Sequence, residues 1–534
     1  MGQPSFQASN AIIYLTYGAF LLLGTGLAWR MRNQSKADFL AGNRSQKAFP
    51  LALNFIAAAM GSGILFSYPQ LATLAGLQGV IVYAVASACP LLIFAALAPI
   101  IRGKCPEGFV LTEWTRQRYG VVTALYLGAL TLLTLFLYMV AELSAIGQVI
   151  TALTGLDGLP VVIVECIVTT VYTSLGGFTI SFITDNVQGV MICCLILIAT
   201  ITIGVKTDIK PELVASSGLL DAKLIGWQLI YILPVAILTN DFFLANFWLR
   251  AFASRTDKDL WIGVSVAMVV ILIVLTLVGC TGLIAVWSGA FSGDSPFEDG
   301  SVSFFLLLEQ LPNWVVGIVI VMAVTLSTAA FDSLQSAMVS SASNDIFRNR
   351  LNIWWIRGAV VLIIFPVVVI AIKAPSILQI YLISDLLSAA TIPVLMLGLS
   401  DRFYWWRGFE VLVGGLGGIL TVFIFGTIYY DSAQSGGELI LLEQGLYTGD
   451  WGAFGAFVAA PVGGLIWGFI ALGFRLAFQY AQSKRNGTRF DGLDPPIAAP
   501  SQEEEYNAFN AEAESESRDE ATTATTTKIT GKFF

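Results

Sequence analysis

The sequence predicts an all-α polytopic membrane protein with about thirteen transmembrane helices. Three observations predict it. Hydrophobic residues fill 56% of 534 positions and charged residues 12%, where a soluble chain carries about 25% charged residues. Apolar runs long enough for a crossing of ~20 residues recur from Ala11 to Phe474. Lys and Arg gather in alternate connections between those runs.

Taken in order, the first span covers about 11–29, with no Lys or Arg before it and Arg30, Arg32 and Lys36 directly after it. That is the reverse of a cleavable signal peptide, so the segment is expected to stay as a helix with its amino end outside. The second span, about 49–76, contains Ala57-Ala58-Ala59-Met60-Gly61-Ser62-Gly63 and then Ser67-Tyr68-Pro69-Gln70. Small residues and a proline inside an apolar run predict a helix that breaks at mid-membrane and turns carbonyls and amides toward a cavity. Ser62, Tyr68 and Gln70 are its candidate solute contacts; close Gly/Ala packing around a proline kink is the alternative.

The third span, about 79–101, ends at Arg102 and Lys104. In the fourth, about 120–149, Tyr138 and Glu142 stand one turn apart on one face. Glu142 is a candidate proton carrier or anchor for a solute amine or amide, or else a structural carboxylate bonded to a neighbouring helix. The fifth and sixth spans cover about 159–176 and 186–205. The seventh, about 225–248, carries Thr239-Asn240-Asp241 near its inner end, followed by Asn246 and Trp248. Asn240 and Asp241 are candidate solute ligands, with an interfacial anchor as the alternative.

The eighth and ninth spans cover about 261–289 and 313–343. The ninth reads Leu326-Ser327-Thr328-Ala329-Ala330-Phe331-Asp332-Ser333, where hydroxyls can bond their own helix backbone but Asp332 at mid-span needs another partner. Asp332 and Ser333 are therefore candidates for cation coupling. Four further apolar spans, about 355–373, 377–399, 408–429 and 451–474, complete the membrane domain.

This arrangement collects Arg44, Lys47, Arg116, Arg118, Arg255, Lys258, Arg348, Arg350, Arg402 and Arg407 on one side, against Lys206, Lys210, Lys223 and Lys373 on the other. The positive-inside rule then puts the amino terminus outside and the carboxyl terminus in the cytoplasm. Glycosylation-type triplets at Asn33, Asn43 and Asn486 fall on the inner side and are expected to be inert. The domain is expected to span 1–482, with a disordered cytoplasmic tail over 483–534. That tail combines Pro495, Pro496 and Pro500 with Glu503-Glu504-Glu505 and Thr-rich repeats near Thr522.

The net charge of −8 comes largely from the tail and from loop residues such as Asp294, Glu298 and Asp299, and gives no sign of a nucleic-acid partner. Cys89, Cys166, Cys193, Cys194 and Cys280 fall in or beside apolar runs and Cys105 lies in a basic loop without metal-ligand spacing, so all read as small core residues. The chain has no histidine, which leaves carboxylates for any proton relay and excludes a histidine-based metal or nucleophile site. No nucleophile–base pair is visible, so the chain does not read as an enzyme and no cofactor is expected.

Four sets of residues stand out: Ala37-Asp38-Phe39-Leu40-Ala41-Gly42, then Tyr172-Thr173-Ser174-Leu175-Gly176-Gly177 leading to Thr184-Asp185-Asn186-Val187-Gln188-Gly189, then Trp248-Leu249-Arg250-Ala251, and Asp332-Ser333 with Asp345-Ile346-Phe347. Together they resemble the sodium:solute symporters, and within them the fungal and plant urea permease branch. The resemblance covers about residues 35 to 475. It implies two inverted five-helix repeats, spans 2–6 and 7–11, with solute held between the broken second helix and spans 4, 7 and 9. It also implies a cation between the carbonyls of Ala57 and Met60 and a hydroxyl pair on the ninth span.

Three positions depart from the family pattern. Ala329 and Ala330 stand where the hydroxyl pair belongs, and Ser327 and Thr328 come two residues early, turned by about 200° on a helix. Leu244 stands where the urea branch tends to carry an aspartate. The expectation is a plasma-membrane symporter for a small polar solute, urea or another nitrogenous compound, coupled to H+ in preference to Na+ with Asp332, Glu142 or Asp241 as carrier. A channel or facilitator and a transport-inactive nutrient receptor are the alternatives.

Overall fold

The computed structural model describes residues 4–31, 33, 35–42, 44–105, 110–291, 300–348, 350–373, 376–443, 449–490 and 492–493. Asn43, the loop carboxylates at 294, 298 and 299, and nearly all of the expected tail lie outside the described residues. The described chain is helical, with one isolated bridge between Gln46 and Ser254.

The helices up to the first long loop are α1 (Phe6–Arg30), α2 (Lys36–Leu40), α3 (Ala48–Ala59), α4 (Ile64–Ala88), α5 (Leu91–Lys104), α6 (Leu111–Tyr119), α7 (Val121–Thr154) and α8 (Gly158–Lys206). There follow α9 (Pro211–Ser216), α10 (Leu224–Asp241), α11 (Ala245–Ala253), α12 (Asp257–Ser288), α13 (Ser303–Glu309) and α14 (Asn313–Asp345). The last are α15 (Ile353–Ala371), α16 (Ile377–Met396), α17 (Gly408–Tyr429), α18 (Ala433–Ile440) and α19 (Gly452–Asn486).

Among the described residues eleven helical stretches are long and apolar enough to cross a membrane, where thirteen spans were expected. The difference falls at two glycines. Gly76 in α4 (φ 65°, ψ −150°) and Gly177 in α8 (φ 60°, ψ −149°) leave the helical region with positive φ, which favours glycine. The chain doubles back at each. In a straight helix Tyr68 and Tyr83 would stand about 22 Å apart, yet their rings stack at 3.9 Å and Tyr68 Oη donates to Ser87 Oγ at 2.5 Å. Likewise Tyr172 and Thr184 would be separated by about 18 Å, but both donate to Asp332 Oδ2, at 2.5 and 3.2 Å. Each hairpin therefore separates two helical segments that match two of the expected spans, and the count of eleven takes each such pair as one stretch.

The second expected span breaks. α3 stops at Met60, whose backbone is extended (φ −120°, ψ 105°), and α4 starts after Gly63. The seventh corrects the reading from sequence. It was expected to run unbroken to Trp248, but α10 ends at Asp241 and α11 resumes at Ala245. Trp248 Nε1 donates to the carbonyl of Phe242 at 3.0 Å and closes the gap. Asp241 thus stands at the break between α10 and α11, with its side chain buried in the interior.

The two broken helices open the two expected repeats and flank the same interior. α14 packs against both α7 and α8 and is buried along most of its length. α1 and α15 keep large apolar side chains outward, among them Leu22, Trp354, Trp355 and Leu362, as lipid-facing helices do. At the carboxyl end α17 and α19 pack together, and the fully buried Arg475 Nε meets Glu410 Oε1 at 2.5 Å.

Candidate functional site

Both breaks, together with α7, α14 and α16, line a cavity of about 140 Å³. Three carboxylates reach it: Glu142 from α7, Asp241 from the end of α10 and Asp385 from α16. Tyr138 precedes Glu142 by one turn and Tyr381 precedes Asp385 by one turn, so the helical period carries each tyrosine–acid pair to the same face. The Tyr138 and Tyr381 rings meet at 4.8 Å, and the stacked Tyr68–Tyr83 pair forms another part of the wall. Among the described residues no Lys or Arg lines the cavity. Burying a carboxylate without a counter-ion costs several kcal/mol, so three in one cavity call for bound protons or for a cationic partner.

Glu142 is fixed by the first break. The Ser62 amide and the Ser62 hydroxyl both donate to Glu142 Oε1 at 2.5 Å, and the opening turn of α4 presents its positive dipole end to the carboxylate. A Cβ at Gly61 would lie 2.1 Å from Glu142 Oε2, so only glycine lets the carboxylate in so close. Behind it lies Glu165 of α8, fully buried, which accepts from Tyr17 Oη at 2.9 Å and from Ser327 Oγ at 2.7 Å. Ser327 therefore serves a carboxylate on another helix, whereas Thr328 donates to the Val324 carbonyl of its own helix at 2.6 Å, as expected of a backbone-satisfied hydroxyl.

A second polar cluster is buried between α8, α11 and α14. Arg250 Nη2 donates to Asp185 Oδ2 at 2.5 Å and to Ser333 Oγ at 2.7 Å. Ser333 donates in turn to Asp185 Oδ2 at 3.1 Å. Asp332 beside it accepts from Tyr172 Oη at 2.5 Å, Ser181 Oγ at 3.0 Å and Thr184 Oγ1 at 3.2 Å.

Of the residues singled out from sequence, Tyr68, Tyr138, Glu142 and Asp241 line the cavity. Ser62 holds Glu142 from behind. Asn240 donates to Tyr138 Oη at 2.5 Å and accepts from Ser384 Oγ at 2.9 Å, so it positions the ring. Gln70, Ala57 and Met60 are buried away from the lining, and Asp332 and Ser333 belong to the Arg250 cluster. Sequence reasoning passed over Asp385, Tyr381 and Glu165. A lone acid within an apolar run was the available signal, the same one that marked Glu142.

Inverted repeats whose first helices break around a buried polar cavity define a secondary active transporter. Comparison with known proteins gives the family: the sequence profile of the sodium:solute symporter family matches residues 39–410, and the chain belongs to that family. It is similar to the spermidine transporter DUR31 of Candida albicans, with 53% identity over 510 residues, 95% of this chain and 97% of that protein. Similarity to a probable urea active transporter of Schizosaccharomyces pombe is 23% over 209 residues, 37% of this chain and 31% of that one. The fold matches that of a Na+-coupled sialic acid symporter solved in a substrate-bound outward-open state, with a TM-score of 0.67 at 16% identity over 88% of this chain and 97% of the other. The chain is accordingly a multi-pass membrane symporter. Of the expected solutes, urea or another small nitrogenous compound, urea specifically is not supported: the urea-transporter relative matches over a short stretch, and the relative at 53% identity is a spermidine transporter.

Proposed function

We propose that this symporter carries a small organic ammonium, spermidine or a related polyamine, across the plasma membrane, with its amino terminus outside and its carboxyl terminus in the cytoplasm. The observation that carries the reading is the cavity wall: Glu142, Asp241 and Asp385 with four tyrosines and no basic side chain. A neutral solute such as urea gives no reason to bury three acids, whereas an ammonium neutralises carboxylates and is attracted to aromatic faces. The identity to a spermidine transporter over nearly the whole chain supports the same class.

For coupling, the reading favours H+ over Na+. Ala329 and Ala330 offer no side-chain oxygen opposite the carbonyls of Ala57 and Met60, so a metal cation there lacks part of its shell. Glu142 alone among the expected carriers both lines the cavity and bonds the broken helix, so a proton on it is sensed by solute and helix together. The test is uptake of labelled spermidine and labelled urea into transporter-deficient cells at two external pH values, with and without Na+. Uphill spermidine uptake that rises with external acidity and ignores Na+ is the expected result. Strict Na+ dependence would overturn the coupling, and urea accumulation without spermidine would overturn the solute.

A further inference from the structure

Asp385 is 4% exposed and lines the cavity, yet its Oδ1 has no hydrogen-bond partner. Asn246, on the first turn of α11, is 1% exposed, lines the same cavity, and its Oδ1 also has none. Buried acceptors are rarely left without donors, and each orphan costs free energy. These two come from different helices, one charged and one neutral, and both call for N–H or O–H groups from whatever enters. Asp241 lines the same cavity and adds a second carboxylate from the end of α10. Phe247 and Leu244 close the wall beside them with apolar surface that offers no competing donor.

We propose that Asp385 and Asn246, with Asp241 beside them, form the docking point for a primary ammonium at the end of an alkyl chain, selected by its N–H donors as well as by its charge. A primary ammonium carries three N–H donors in a tetrahedral fan, enough to satisfy both orphan acceptors and still face Asp241. A permethylated ammonium carries the same charge without a donor, so it meets the attraction but leaves both oxygens unpaired. The remainder of the chain would lie along the tyrosine wall toward Glu142, one helical turn or about 5.4 Å beyond Tyr138. This inference rests on the organic-ammonium reading above and adds which atoms read the solute.

The experiment uses full-length protein in lipid nanodiscs, with labelled spermidine displaced by unlabelled spermidine or by N-permethylated spermidine. In the wild type the permethylated compound is expected to compete about tenfold more weakly or worse, since two buried acceptors lose charge-assisted donors. Asp385→Asn is expected to weaken spermidine by about tenfold or more and to narrow the gap between the two competitors. Equal competition in the wild type overturns the inference without any variant. An Asp385→Asn protein that runs as a monodisperse peak and keeps wild-type affinity and selectivity overturns it as well, while the organic-ammonium reading stands. Absence of any spermidine binding to the wild type removes that reading and the docking point with it.

Discussion

The approach of Glu142 to the backbone at Gly61 sets the chemistry at the scale of single residues. A methyl group at Gly61 would stand 2.1 Å from Glu142 Oε2 and force out a carboxylate that the Ser62 amide and hydroxyl hold at 2.5 Å. Gly61→Ala is therefore expected to reduce coupled uptake about tenfold or more, because overpacking a filled site costs about 1–3 kcal/mol. Uptake assays on protein of verified membrane abundance check it. Glu142→Gln keeps the size of the group and removes its titration, so it is expected to abolish accumulation against a gradient while leaving solute exchange across the membrane. Counterflow measured beside net uptake separates these two outcomes. The Tyr138–Glu142 pair was legible in the sequence because four residues close one helical turn. Glu165 and Asp385 were equally visible as acids in apolar runs, but the partners of Glu165, Tyr17 and Ser327, and the positions of both acids at or behind the cavity, follow from packing between distant helices that a single sequence does not display.

Among the elements, the two breaks differ in how openly they are written. Met60-Gly61-Ser62-Gly63 announces the first with small, flexible residues. Phe242-Phe243-Leu244 has no glycine or proline, and the helix ends there because Trp248 reaches back to the Phe242 carbonyl, a contact with no local signature. The hairpins at Gly76 and Gly177 fall where the hydropathy pattern ends one expected span and begins the next, so these turns were legible in the sequence. The Arg250–Asp185 pair ties α11 to α8 and, through Ser333, to α14. Arg250→Met strips the guanidinium from a cluster that holds Asp185 and Asp332, and breaking a buried pair in this way costs about 3–5 kcal/mol. Thermal unfolding of the purified protein is expected to shift down by several degrees, and Asp185→Asn in the Arg250→Met background is expected to recover part of the loss. An unchanged midpoint for the single variant would show that the pair does not hold these helices together.

For the whole molecule, the repeat organisation came from the resemblance to the family, whereas the apolar spans and the broken second helix were open to reading before any coordinates, because the bilayer permits few ways to satisfy a backbone. The solute was not, since substrate choice depends on which side chains converge, and the acids that converge here lie at 142, 241 and 385. The proposed function makes one claim for the whole molecule: that a pair of inverted repeats rocks around an acidic, tyrosine-walled cavity and moves an organic cation with a coupling ion. The measurement that tests it most directly is transport by the purified protein in proteoliposomes with an acidic exterior and an alkaline lumen, comparing labelled spermidine with labelled urea. The account predicts spermidine accumulation above the external concentration, collapse of that accumulation when the proton gradient is dissipated, and no accumulation of urea. Accumulation of urea, or spermidine that only equilibrates whatever gradient is imposed, would contradict it.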